Sequence, residues 1–471
     1  MNFIPWGKAA LPLLLAFLTS PALADPAALQ GNQKLLRRQT VAPLPGGLDQ
    51  ILVVNDNNPE LISGPGILLS TFPRQGRTNP GAHLDVALNG RFDLFSHHVF
   101  AGKTDSLDST LWLGVIAAPR GPKPVNLRLI AGSTALSQSV DGIQPGAPFL
   151  PLPALMRQES VPVYSGPGSR VATELLMRQS GAPLPEGWTL PPGQPTSLLM
   201  LPIPVRGLDP LLNGRNLQLR LESSGPISLA TLAAFGENNT PPGPEVWRQL
   251  LEGDLSPKEH APSPRGTKGP IVYSRVSGVQ VGSTWTGRIS DPGKAWLSAS
   301  RAPISWPISS LERGSLGTGQ VQTAELKAAY PATAWAAHGN YGIEYDLSLP
   351  LRNDLAVPVV LELALESPLK SDAPQNGLRF NSQPSKAVMF RGTVEVLGLD
   401  NGEGRPSGRQ RFHLVERAGS QGPVLGQISL APKAERLVRF RLIYPADATP
   451  PQVLSLLPVV KQSELSPADR P

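Results

Sequence analysis

Hydrophobic residues recur at every second position over long stretches of this chain. Leu217, Leu219 and Leu221 alternate with Asn216, Gln218 and Arg220. Tyr341, Ile343, Tyr345, Leu347 and Leu349 alternate with Gly342, Glu344, Asp346 and Ser348. Val438, Phe440, Leu442 and Tyr444 alternate with Arg439, Arg441 and Ile443. Side chains on a strand point to opposite faces in turn, so these strings predict half-buried strands with one wet face. Apolar runs predict further strands at 92–99, 111–117, 125–130, 197–202, 227–235, 359–365, 388–397 and 411–416. Turn signals separate them at Asn89-Gly90, Asn213-Gly214, Ser224-Gly225-Pro226 and Asp400-Asn401-Gly402. Many short alternating strands with polar turns predict an all-β protein of antiparallel sandwiches.

Helix is scarce in this pattern. The best candidate is 244–252, with Pro244 in its first turn, Val246, Leu250 and Leu251 on one face, and Gly253 ending it. Residues 256–270 are rich in Pro, Gly, Lys and Arg and read as a linker or exposed loop. The expected organisation is two antiparallel β-sandwich domains with little helix, over 25–255 and 271–471. Ser63-Gly64-Pro65-Gly66 recurs as Ser165-Gly166-Pro167-Gly168. Each copy reads as a stiff turn, because a phosphate cradle also wants a following helix and a Lys with Ser or Thr.

Composition narrows the class. The 471 residues include 53 Pro and 46 Gly, so few 15-residue windows suit an uninterrupted helix. With no cysteine, the chain has no disulfide framework, thiolate metal site or cysteine nucleophile. The first 24 residues carry Lys8, a short apolar stretch over 9–19, and Ala22-Leu23-Ala24 before Asp25. That is the order of a secretory signal, and 11 apolar residues fall short of the roughly 20 of a membrane span. No later stretch approaches one. A periplasmic or secreted protein is therefore expected. Its net charge of +6 is scattered, without the basic stripe and interleaved aromatics of a nucleic-acid binder.

Candidate chemistry is sparse. In the strand 91–100, His97 shares a face with Asp93, while His98 points the other way. His83, His97 and a carboxylate form a conceivable metal or ligand site; the blander reading is a half-buried histidine bound to backbone or to Asp93. Asp56, Asn58 and Glu60 alternate as oxygen donors at the start of a calcium-type loop. Leu61 and Ile67 occupy the places where the helical calcium hand needs Gly and Glu, so only a looser calcium site remains. Trp285, Trp296 and Trp306 fall in one Pro/Gly/Ser-rich stretch and either line a sugar-binding surface or plug a core. No G-x-S-x-G elbow or comparable nucleophile motif is present, and no catalytic residue is assigned. The leading expectation is a non-catalytic module binding an envelope polysaccharide or protein. A glycan or peptide hydrolase and a calcium-stabilised structural module are the alternatives.

The segments VNDNNPELISGPGILLSTFP, NGRFDLFSHHV, YSGPGSRVATELL, LPIPVRGLDPLLNGR, GTGQVQ, AAHGNYGIEYDLSLPL, FRGTVEV and YPADATPPQVLSL carry a resemblance. Together they resemble an uncharacterised family of exported cyanobacterial proteins, a domain of unknown function, from about residue 40 to 460. The resemblance implies a cyanobacterial source and a periplasmic or cell-envelope location. It implies no activity, cofactor or catalytic residue.

Overall fold

In the computed structural model the protein is described from residue 33 to 459, apart from 104–108, 141, 143–145, 159–160, 180, 237–239, 332, 336–338 and 375. The expected leader over residues 1–24 lies outside the described residues. The fold is all-β, with two α-helices among the described residues, α1 (Pro167–Met177) and α2 (Pro244–Leu251).

One long strand, Leu212–Phe235, organises the first half of the chain. Its leading part pairs with Leu88–Ala101 on one edge and Val125–Leu136 on the other. Its trailing part pairs with Gly66–Ser70 and Thr110–Pro119. Ser224-Gly225-Pro226 is thus a bend within a strand, where the register jumps between Ser223 and Ile227, and not the expected turn. An eleven-stranded sheet folds around the core formed by Leu94, Leu127, Leu217, Leu219, Leu221 and Leu229.

The second core lies between two sheets. An eight-stranded sheet holds Glu344–Arg352, Glu435–Ile443, Val388–Leu397 and Arg409–Arg417. A five-stranded sheet holds Ile304–Ile308, Gln452–Pro458, Val359–Glu366 and Val424–Leu430. Leu347, Leu349, Phe440 and Leu442 from the one meet Leu361, Leu363, Leu454 and Leu456 from the other. Pairing is mostly antiparallel. Parallel ladders join Leu52–Asp56 to Leu88–Ala101, Thr284–Arg288 to Glu344–Arg352, and Thr40–Val41 to Ile304–Ile308.

Strand pairing crosses residues 256–270 in both directions. Lys34–Arg38 pairs with Gly377–Asn381, and Gly47–Leu48 with Thr284–Arg288. In return, Ser277–Val281 adds to the first-half sheet beside Leu52–Asp56. The start of the expected linker is itself anchored: the Ser256 amide donates to Ile67 O at 2.9 Å.

The expected wet faces are largely covered. Asn216 and Gln218 are 1% and 2% exposed. Gln218 Nε2 donates to Gly342 O at 2.7 Å, and Phe95, on the polar-side face of its own strand, stacks on Tyr341. These positions are polar because a second set of strands with its own backbone and charges lies against them, so their hydrogen bonds are met inside the protein.

Helix α1 was not legible as one. All eleven of its residues are buried, and it touches Val125–Leu136 and Leu212–Phe235 as well as Val388–Leu397 and Glu435–Ile443. A helix covered all round shows no polar stripe. Its charges cancel internally, with Arg170 Nε 2.7 Å from Glu174 Oε1. In α2 the buried pair is Trp247 and Leu251, and Val246 is exposed, so its inward face is rotated from the one expected.

Candidate functional site

The NDNNPE segment leaves the strand Leu52–Asp56 and enters a charged part of the interior. Parallel pairing sets Asp56 opposite Ser96, two residues before His98. Asp56 Oδ2 lies 2.9 Å from His98 Nε2, and His98 Nδ1 lies 2.8 Å from Pro59 O, with both side chains fully buried. Lys258 enters from the other side. Its Nζ donates to Asn58 O at 2.6 Å, to Leu68 O, and to Ser277 Oγ at 3.3 Å. Burial lowers the Lys258 pKa to about 8 while Asp56 opposes the shift. Burial also pushes the Asp56 carboxyl up, but the charge and hydrogen bond of His98 and the charge of Lys258 outweigh it, and the net shift is downward.

The alternation of Asp56, Asn58 and Glu60 does not become a common ligand set. Past Asp56 the chain is no longer extended, and each residue turns to its own partners. Asn58 Nδ2 donates to Arg275 O at 3.1 Å and its Oδ1 accepts from the Glu259 amide at 3.0 Å. Glu60 pairs with Arg275. Among the described residues no group of three or more His, Asp or Glu is gathered to hold a metal ion.

The residues His83, Asp93 and His97 are likewise dispersed. Asp93 pairs with Arg91, its pKa raised by burial against the pull of Arg91 and Arg220. His97 Nε2 lies 3.5 Å from Glu60 Oε1, and burial lowers its pKa. His83 Nδ1 sits 2.7 Å from Ser70 Oγ, with neither residue exposed. This serine–histidine contact had no motif to announce it. A nucleophile–base pair needs access and a third group orienting the base. His83 Nε2 has no hydrogen-bond partner among the described residues. The contact is therefore a core hydrogen bond.

Nor do the tryptophans line one surface. Trp285 stacks on Tyr345 and donates to Pro45 O at 3.0 Å, and Trp306 is 2% exposed within the second core. Large rings filling a core explain both. Only Trp296 reaches the surface, half-buried beneath Arg352 at 4.5 Å.

The two SGPG copies diverge. The first leads into the strand Gly66–Ser70, and the second opens α1. A helix start is an anion site. Its occupant here is Asp447, whose Oδ2 accepts from the Ser169 amide at 2.9 Å. Burial raises the Asp447 pKa, opposed by His97, the amides of Ser169 and Gly168, and Arg391. Gly166 (φ +90°) and Gly168 are required by this approach: a Cβ on Gly166 would stand 2.5 Å from Asp447 Oδ2, and one on Gly168 2.8 Å from Ala446 Cβ. The segments YSGPGSR and YPADATPP therefore grip one another.

A ladder of charges continues the seam between the two cores. Arg220 reaches Glu344 (2.7 Å), Glu344 reaches Arg441 (2.6 Å), Arg441 reaches Glu395 (2.9 Å), and Glu395 reaches Arg411 (2.9 Å). Burial would raise the Glu344 pKa, yet Arg220 and Arg441 hold it below its ordinary value. Sequence separation hid this set.

Deeper in the second half, Tyr444 donates to Gln452 Oε1 at 2.5 Å, Gln452 Nε2 donates to Ser367 Oγ at 3.3 Å, and Ser367 Oγ donates to Glu416 Oε2 at 2.7 Å. Glu416 Oε1 has no partner among the described residues, and burial raises this carboxyl's pKa well above its usual value. A carboxyl whose folded pKa is raised takes up a proton on folding, so its penalty grows as pH rises above the unfolded value. Glu416→Gln is expected to raise the melting temperature at pH 8 and leave it unchanged at pH 4, as read by circular dichroism melts at both pH values.

Fold and site together define an all-β protein whose two cores are sewn together by buried ion pairs. No helix among the described residues is long and apolar enough to cross a membrane. The chain belongs to the family described as a protein of unknown function (DUF3370), whose model matches residues 39–458. It is also 28% identical over 180 residues to UDP-N-acetylenolpyruvoylglucosamine reductase of Nocardia farcinica. That match covers 34% of this chain and 43% of the reductase, so the chain spans less than half of that relative.

Proposed function

We propose that this protein is a periplasmic or secreted cell-envelope component, of cyanobacterial type, that binds an envelope polymer or protein partner and does not catalyse a reaction. The leader pattern around Lys8 and Ala22-Leu23-Ala24 and the exported-family resemblance support the location. One observation carries the binding role. The side chains of catalytic type, Asp56, His83, Asp93, His97 and His98, are buried or nearly so, and each is committed to a protein partner. Spent in this way, they stiffen a framework and leave the surface for recognition. The partial likeness to a reductase supplies no part of this reading.

The test is a pull-down with the full chain lacking residues 1–24, against fractionated envelope polysaccharide and protein, alongside turnover assays on the same glycans and peptides. Retention of one fraction without product is expected. Accumulating product, or no retained fraction at high protein concentration, overturns the reading.

A further inference from the structure

The Lys34–Arg38 strand leaves its partner Gly377–Asn381 and, two residues on, the chain joins the edge of the five-stranded sheet as Thr40–Val41. The crossover leaves an open groove of about 520 Å³, within the roughly 300–1,000 Å³ of small-molecule sites. Arg38, Gln39, Thr40, Arg301 and Asn376 are its polar lining residues, and among the described residues no acidic one lines it. The side chains of Arg38, Thr40 and Asn376 make no hydrogen bond or ion pair among the described residues. Arg301 is about half exposed and has one distant contact, Nε to Asp291 Oδ1 at 3.5 Å. Both arginines line the groove, Arg38 with no carboxylate partner among the described residues and Arg301 with only the distant Asp291.

The groove is built and not a chance gap. Leu316 (φ +56°) and Asn376 (φ +54°) both hold left-handed backbone on its wall. Such conformations persist only where the surroundings enforce them. Here the Ser315 amide donates to Asp372 Oδ1 at 3.0 Å and the Leu316 amide to Ser371 O at 2.7 Å, so the two loops brace each other.

We propose that this groove binds an anionic saccharide, its carboxylate or sulfate held between Arg38 and Arg301. A guanidinium fork takes such an anion through two parallel hydrogen bonds. Thr40 and Asn376 supply donors and acceptors for sugar hydroxyls, and Val41, Pro303, Leu316 and Pro374 an apolar wall for the ring's C–H face. An acidic peptide is disfavoured, because strand addition needs a run of free backbone and this edge is two residues long. The inference rests on the envelope-binding reading and gives it a site and a ligand class.

Isothermal titration of the full chain lacking residues 1–24 tests it, with four probes: oligogalacturonate, a sulfated dextran oligomer, a neutral dextran oligomer and poly-glutamate. At least one anionic saccharide is expected to bind and the neutral one not. The Arg38→Ala/Arg301→Ala variant is expected to bind at least tenfold more weakly, with an unchanged melting temperature. The two anionic arms separate carboxylate from sulfate recognition. No binding of either anionic saccharide, equal binding by the variant, or tighter binding of poly-glutamate overturns the proposal. If the variant still retains the envelope fraction, this site fails while the broader reading stands.

Discussion

Asp56→Ala is expected to lower the unfolding free energy by about 3–5 kcal/mol, the usual cost of breaking a buried pair from one side. Asp56 and His98 are both 0% exposed, and Lys258 lies close enough to shift the Asp56 titration. The truncation leaves the fully buried His98 Nε2 without its carboxylate and removes the charge that opposes the desolvation of Lys258. Urea denaturation measures the loss. Chelator is expected to leave both proteins' midpoints unchanged, because Asp56 Oδ2, Asn58 Oδ1 and the Glu60 carboxylate each go to a different protein group; a chelator-sensitive wild type that Asp56→Ala makes insensitive would restore the calcium reading. The pH sign follows from the net depression of the Asp56 pKa. Its contribution is present above the ordinary carboxylate range and is lost as pH falls through the folded value.

Gly166→Ala is expected to cost about 2–5 kcal/mol, combining strain at a left-handed position with overpacking. The new Cβ meets Asp447 Oδ2 at 2.5 Å where φ is +90°. Because the carboxylate is one source of the clash, the same substitution in an Asp447→Ala background is expected to cost less. That coupling, read from a double-mutant cycle, distinguishes a gripped helix start from a generic turn. Equal costs in the two backgrounds would refute the grip.

Strands were the legible part of this protein, and for a plain reason. Period-two burial is a local property, so Leu217, Leu219 and Leu221 announce themselves, and each proves fully buried. What lies against the opposite face is not local. Gln218 and Arg220 read as solvent-facing, yet Gly342 and Glu344, 124 residues away, complete them. The same holds for α1, whose apolar and polar sides are both covered, and for Asp447, which no spacing rule ties to Gly166. Among the candidate site residues, His97 and His98 were legible as neighbours on one strand. Their partners were not, because Asp56 and Glu60 arrive from a different strand and the loop beyond it.

The exchange of strands between the halves bears on how the molecule is made. Lys34 meets its neighbour only at Asn381, and Ile304–Ile308 needs Gln452–Pro458 beside it. Contacts spanning hundreds of residues form slowly, because a large loop must close before any reward is gained. A nascent chain cannot lock its opening strands until nearly all of it has emerged. Closure of these strands is therefore a late event of biosynthesis, and a chain truncated before Gln452 should be more open to proteases, because Ile304–Ile308 then lacks its partner strand.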